Sequence, residues 1–142
     1  MAQKTANYQL NQWEPEDDFL RTDFNEDNAK IEAALNLKCE VIVGSYTGNN
    51  AAERTISLGA TPKAVFVCSR SGIAGESGLI YGGLAVTGSG VNSMNSGTVY
   101  SPAAVEITEG GFIVRYSGDE YVGAVRLFAN FNIVQYNYIA VF

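Results

Sequence analysis

Residues 23–46 read DFNEDNAKIEAALNLKCEVIVGSY, and two different periodicities meet inside this stretch at about Cys39. Before the junction, four residues recur at spacings of four, three and four, the seam pattern of a coiled coil: Phe24, Asn28, Ile31 and Leu35. A helix this short cannot bury its own apolar stripe, and isolated helices below about 12–15 residues are marginal in water. The pattern therefore predicts a helix over residues 23–37 that associates with copies of itself.

After the junction, short apolar runs alternate with Gly, Asn and Ser clusters, which is typical of an all-β module. We predict eight strands, at 40–46, 54–58, 64–69, 79–86, 105–108, 112–116, 121–127 and 133–142. Turns this short permit antiparallel pairing of sequential strands, as in a sandwich. The expected fold is mainly β, with a short N-terminal helical or coiled-coil segment (residues 1–38) before an antiparallel, jelly-roll-like β-sandwich head (residues 39–142).

The N-terminal segment carries two further helix signals. Pro15 followed by three acidic residues predicts a first short helix over residues 15–21, since proline and acidic side chains suit a first helical turn. Asp23 with Glu26 three residues later has the form of a capping box. Upstream, Tyr8, Leu10 and Trp13 lie in a stretch too short to fold alone, so we expect them to pack on a neighbouring chain or subunit.

Charge and composition narrow the classes of partner. The formal net charge is -6. Residues 1–40 hold nine acidic and four basic residues and so account for most of it. Without a basic stripe to displace counterions from phosphates, no nucleic-acid partner is expected. No run approaches the roughly 18 apolar residues of a membrane span, and the first residues lack the apolar segment of a signal peptide. We therefore expect no membrane insertion and no secretory export.

The sequence offers little for catalysis. There is no histidine, the usual general base and metal ligand, so a Ser-His-acid triad is excluded. The stretch GIAGESGLIYGG lacks the Lys-Ser/Thr pair of a phosphate-binding loop. The pair Asp119 and Glu120 falls in a predicted hairpin turn, where two acids rarely face each other across a cleft. We expect no enzyme, no cofactor and no metal site.

The glycine-rich stretch from Ser71 to Gly97 is the predicted recognition surface. It holds eight glycines in 27 residues, which give little side chain to bury and leave backbone groups open to a ligand. We expect a long exposed loop, interrupted by one short strand. The candidate receptor-binding residues within or beside it are Tyr81, Gly82, Gly83, Asn92, Asn95 and Tyr100.

Taken together, these motifs resemble a known family. NYQLNQWEPEDDFLRTDFNEDNAKIEAAL is similar to the N-terminal segment of tail-fibre proteins from phages and prophages of Gram-positive bacteria. TISLGATPKAVFV, ITEGGFIV and YNYIAVF resemble the β head at the distal end of such fibres. The resemblance implies a virion protein made in the host cytoplasm, usually a homotrimer, whose head contacts the host surface. Virion attachment would then fall to Tyr8, Leu10, Trp13 and Phe19.

Three functions remain open. The first is attachment of the virion to a bacterial surface glycan or protein through loops of the head. The second is a purely structural virion protein, such as a head or neck fibre or a decoration knob, without receptor binding. The third, a surface depolymerase, is disfavoured by the small size of the chain and the missing histidine.

Overall fold

A computed structural model describes residues 3–142, which form two compact units divided between Cys39 and Glu40. The chain is mainly β with several antiparallel sheets, so the predicted fold class is confirmed at that level. Among residues 3–142, no helix combines the length and the apolar content needed to cross a bilayer.

The first unit contains a two-stranded ribbon and one helix. Strands β1 (Gln3–Lys4) and β2 (Asn11–Gln12) pair antiparallel, and α1 covers Arg21–Asn36. The predicted helix at 15–21 is wrong: residues 15–17 form a turn, because seven residues are too few to repay helix nucleation. The capping box is also wrong, since the N-cap is Leu20 and makes no side-chain capping bond. Asp23 lies within the first turn instead.

The second unit contains twelve strands, several of only two or three residues. They are β3 (Val41–Thr47), β4 (Glu53–Ser57), β5 (Ala64–Ser69), β6 (Gly75–Glu76), β7 (Leu79–Ile80), β8 (Gly83–Val86), β9 (Ser93–Asn95), β10 (Thr98–Tyr100), β11 (Val105–Thr108), β12 (Gly111–Arg115), β13 (Arg126–Leu127) and β14 (Gln135–Val141).

Two sheets of this unit enclose the core. The larger has the strand order β3-β14-β5-β8 and the smaller the order β11-β12-β4, both antiparallel throughout. The C-terminal strand β14 is central in the larger sheet, where Tyr136 is fully buried between the inward side chains of its neighbours. Phe112 of the smaller sheet meets Tyr46 and Tyr138 edge-on, with centroid distances of 6.3 and 5.2 Å. The arrangement is therefore sandwich-like.

One glycine of β3 is required by this packing. Gly44 pairs with Tyr138, and a Cβ at Gly44 would lie 2.3 Å from the Tyr138 hydroxyl oxygen. The tyrosine ring thus covers the glycine directly, a space-filling pair across two strands.

The predicted strands after β5 need three corrections. The strand at 79–86 is two strands, interrupted at residues 81–82, and the strand at 121–127 is reduced to a Val122–Val125 bridge and β13. The stretch 71–97 was predicted as a long exposed loop interrupted by one short strand, and it instead contains four short strands, β6, β7, β8 and β9. Its glycines provide tight turns and close backbone contacts, which local sequence composition does not distinguish from loop flexibility.

Candidate functional site

Two hairpins of the glycine-rich stretch end in Ser-Gly turns. β6 and β7 are joined by Ser77 and Gly78, and β9 and β10 by Ser96 and Gly97. All four residues have positive φ, between 42° and 83°. Two consecutive residues with positive φ match the tight turn that suits the twist of a two-residue hairpin. Both tips are exposed.

The loop at residues 117–126 is held in shape by its own hydrogen bonds. The Ser117 hydroxyl donates to the Glu120 carbonyl (2.7 Å) and accepts from the Leu127 amide (3.0 Å). Arg126 donates to the Asp119 carboxylate at 3.0 Å. The loop presents Tyr121, which is 67% exposed, and the Arg126 guanidinium lies 5.9 Å from the centre of its ring.

This loop contacts both hairpins. The Arg126 amide donates to the Gly78 carbonyl at 2.8 Å, and β13 pairs in parallel with β7. A Cβ at Gly123 would lie 2.5 Å from the Tyr100 ring and 2.9 Å from the Ser93 hydroxyl, so the loop backbone packs closely on the β9–β10 hairpin. We call these three segments together, residues 75–80, 93–100 and 117–126, the hairpin surface.

The chemistry of the hairpin surface suits recognition. Tyr121 offers a flat apolar face with a polar tip, beside a cation and a carboxylate that can bond hydroxyl or amide groups. On the neighbouring hairpin, Met94 and Val99 form a cross-strand pair and are both well exposed. Exposed aromatic and apolar side chains on a rigid hydrogen-bonded frame are common in binding surfaces.

A cleft of about 520 Å³ lies next to the start of the β9–β10 hairpin. Its walls include Asn92, whose side-chain amide donates to the Gly90 carbonyl at 3.0 Å, and Glu106. The Glu106 carboxylate is bound by Arg115 at 2.9 Å, so it contributes a paired rather than an isolated charge. The volume is within the range of small-ligand sites.

The structure separates the six predicted receptor-binding residues into two groups. Asn92, Asn95 and Tyr100 lie on the β9–β10 hairpin or immediately before it. Tyr81 is half-buried and meets Phe128 edge-on at 5.9 Å. Gly82 is buried, and a Cβ there would lie 2.1 Å from the Val67 carbonyl oxygen, while a Cβ at Gly83 would meet Val91. Tyr81, Gly82 and Gly83 therefore contribute to packing.

Sequence reasoning missed four residues of the hairpin surface: Met94, Val99, Tyr121 and Arg126. The Ser-Gly dipeptides at 77–78 and 96–97 were the available signal for the hairpins, since this dipeptide marks turns, but it also occurs at 71–72, 89–90 and 117–118. Tyr121 had no comparable signal, because its exposure depends on the Ser117 and Asp119 bonds that shape the loop.

In the first unit, the four seam residues are exposed on α1. Phe24, Ile31 and Leu35 are between 42% and 58% exposed, and Asn28 is exposed beside them. The single chain therefore leaves this apolar stripe available for contact.

The predicted attachment residues surround the start of the helix and the N-terminal ribbon. Trp13 and Phe19 have ring centroids 4.9 Å apart, and Phe19 and Phe24 5.9 Å. Tyr8 and Phe19 are exposed, whereas Leu10 and Trp13 are half-buried. The aromatic cluster thus connects the predicted attachment residues to the seam.

Asp27 fastens the N-terminal ribbon to α1. Its carboxylate accepts bonds from the Asn11 amide (2.8 Å) and side chain (3.0 Å), and Lys30 approaches it at 3.4 Å. Burial raises the pKa of Asp27, but the bonds from Asn11 and Lys30 outweigh burial, and the net pKa is lowered. The charged form is therefore the one that holds the ribbon.

Within residues 3–142, no three Cys, Asp or Glu side chains are grouped so that they could hold a metal ion. Comparison with known proteins found no matching family model, no similar curated protein and no similar solved structure.

Proposed function

We propose that this protein is a homotrimeric phage fibre or tip protein, without enzymatic activity, that attaches the virion to a glycan or protein on the bacterial surface. In this proposal three α1 helices form a short coiled coil through Phe24, Asn28, Ile31 and Leu35. Each chain then carries a jelly-roll-like sandwich head. Tyr8, Leu10, Trp13 and Phe19 join the trimer to other virion proteins.

The observation that carries the attachment role is the hairpin surface. It combines an exposed aromatic ring, a neighbouring ion pair and an exposed apolar pair on a frame fixed by hydrogen bonds. Such a surface loses little conformational entropy when it binds. Support for the virion setting comes from the resemblance of the N-terminal stretch to fibre proteins and from the exposed helix seam.

Attachment is tested by retention of the labelled full chain on a panel of Gram-positive bacteria and on their purified wall polysaccharides. We compare the wild type with Tyr121→Ala and with Thr55→Ala, which changes an exposed residue of β4 outside the hairpin surface. We expect at least one strain to retain the wild type and Thr55→Ala equally, and Tyr121→Ala at least tenfold less.

Equal retention of all three chains would overturn the assignment to the hairpin surface. If the chain is found in purified virions but is retained by no strain that those virions infect, the purely structural role is correct instead.

A further inference from the structure

The outward face of the larger sheet is apolar across all four strands. The register places Val43, Ile139, Phe66 and Leu84 side by side in one row. The adjacent row consists of Val41, Val141, Ala64 and Val86. Because successive strand residues point to opposite faces, both rows lie opposite the core-facing Val65 and Ala140. We call these two rows the outer sheet face.

This face is exposed in the single chain. Val43 is 72% exposed, Leu84 62% and Ile139 44%. Antiparallel sheets with one solvated face normally alternate apolar and polar residues, whereas strands covered on both faces have continuous apolar runs. The runs VIV in β3 and IAV in β14 are of the second kind.

The smaller sheet shows the ordinary pattern and gives an internal comparison. Its outward row contains Glu106, Ile113 and Thr55, which pair across β11, β12 and β4. A single apolar residue flanked by polar neighbours needs no covering partner. The outer sheet face differs, because all eight positions of its two rows are apolar across four strands.

We infer that the outer sheet face is covered by the same face of other copies of this chain. No charged or hydrogen-bonding side chain occurs in its two rows, so nothing in them would select a partner of different chemistry. The head, residues 39–142, carries seven acidic and five basic residues, a net charge of -2, so copies of the head do not repel each other strongly. In a closed cyclic oligomer every copy turns the same face towards the symmetry axis, so three outer sheet faces can meet around a three-fold axis.

The edge of the sheet supports a self-contact. Within residues 3–142, β3 pairs only with β14, and its sequence VIVGSYT contains no Lys, Pro or acidic residue. Natural proteins protect exposed edges with such residues. An edge without them fits a strand that is covered in the assembled state.

The area of the face determines how strong the contact can be. Four strands about 4.8 Å apart and two rows along them give about 19 by 13 Å, or about 250 Å². A stable interface needs about 800 Å² per partner, so this contact is too small to hold copies together alone. Only residues 37–40 separate α1 from β3, so association of helices would raise the effective concentration of the faces for each other. In this respect the inference rests on the proposed helix association.

Sedimentation equilibrium of full-length chains tests the contact. Ile139→Asp places a carboxylate at the centre of the outer sheet face. Asn137→Asp, the matched control, places one on the same side of the same strand, outside the two rows. Leu84→Asp repeats the test on an edge strand, and near-ultraviolet circular dichroism of the core tyrosines verifies the fold. Ile31→Asp tests the helix seam separately.

We expect Ile139→Asp and Leu84→Asp to weaken assembly at least tenfold and Asn137→Asp less than twofold. If folded Ile139→Asp and Leu84→Asp assemble like the wild type while Ile31→Asp is monomeric, the outer-face contact is wrong and the helix trimer stands. If Ile31→Asp assembles normally and the face variants do not, the helix seam is wrong, and the outer-face contact stands as part of a larger interface between heads. A monomeric wild type at 100 µM (about a hundredfold above a micromolar Kd) would overturn both.

Discussion

Tyr46 and Tyr136 stack face to face across β3 and β14, with ring centroids 4.9 Å apart and planes 13° from parallel. The Tyr46 hydroxyl donates to the Ala129 carbonyl at 2.6 Å, and the Tyr136 hydroxyl donates to the Phe128 carbonyl. The stacked pair therefore attaches the 128–129 segment, which directly follows β13, to the centre of the larger sheet. Through this connection the core supports the loop that presents Tyr121.

The tyrosine pair predicts a loss of stability at alkaline pH. Burial raises the pKa of Tyr46 and of Tyr136 well above the ordinary value of 10.0. Because the pKa of each tyrosine is higher in the folded chain than in the unfolded chain, the contribution of the pair to the free energy of unfolding is complete below pH 10. It is lost as the pH rises further. Urea unfolding at pH 9, 10 and 11 should show the decline, and Tyr136→Phe should make it shallower by up to about 1.4 kcal/mol per pH unit. Equal slopes for both chains would contradict this assignment.

Gly82 is predicted to act in packing. In Gly82→Ala the new Cβ would lie 2.1 Å from the Val67 carbonyl oxygen, which is backbone and cannot move aside cheaply. We expect a loss of about 1–3 kcal/mol in the free energy of unfolding, as for other overpacked sites. The control is Gly75→Ala, where the nearest atom would be at an ordinary 3.5 Å. A Gly82→Ala chain as stable as Gly75→Ala would show that the backbone there is free to shift.

Asp27→Asn should loosen the N-terminal ribbon while leaving the head unchanged. The substitution removes the charge that Lys30 approaches and weakens the bonds from Asn11. We expect amide hydrogen exchange in residues 3–12 to become several-fold faster, and exchange in residues 40–142 to stay as it was.

The same ribbon should loosen at acid pH in the unaltered chain. Because the pKa of Asp27 in the folded chain is lowered, its contribution is present above the ordinary value of 3.8 and is lost as the pH falls through the folded pKa. The control for Asp27→Asn is Glu32→Gln, an exposed change on the same helix, which should leave amide exchange in residues 3–12 as it was. Unchanged protection of residues 3–12 in Asp27→Asn would remove Asp27 from this role.

The sequence was most informative where the spacing of apolar residues follows the geometry of a helix or a strand. The predicted helix at 23–37 matches α1 to within two residues at its start and one at its end. The bounds of β5 and β11 were predicted as observed, and those of β3, β4, β12 and β14 to within two residues. Helix and strand signals of this kind are local, because each residue's side of the element follows from its position.

The glycine-rich stretch was the weakest part for a physical reason. Gly82 faces the Val67 backbone, and Gly123 faces Tyr100, 23 residues before it in the chain. A glycine needed for close approach and a glycine in a mobile loop look alike in sequence, since neither carries a side chain to show which neighbour it has. Tyr121 could not be distinguished from a strand residue, because its exposure depends on the Ser117 and Asp119 bonds that shape the loop.

The outer sheet face was visible in the sequence as apolar runs, but its exposure was not. Continuous runs such as AVFV predict a strand covered on both sides. Only the sheet order shows that one side of β5 faces the core and the other faces away from it.

Self-association of the full chain is the claim on which the fibre proposal and the outer-face contact both depend. Native mass spectrometry of the wild-type chain, at tens of micromolar, measures it directly. Three chains of 15.2 kDa predict a species near 46 kDa. A species at 15.2 kDa alone, or a dimer at twice that mass, would contradict the account.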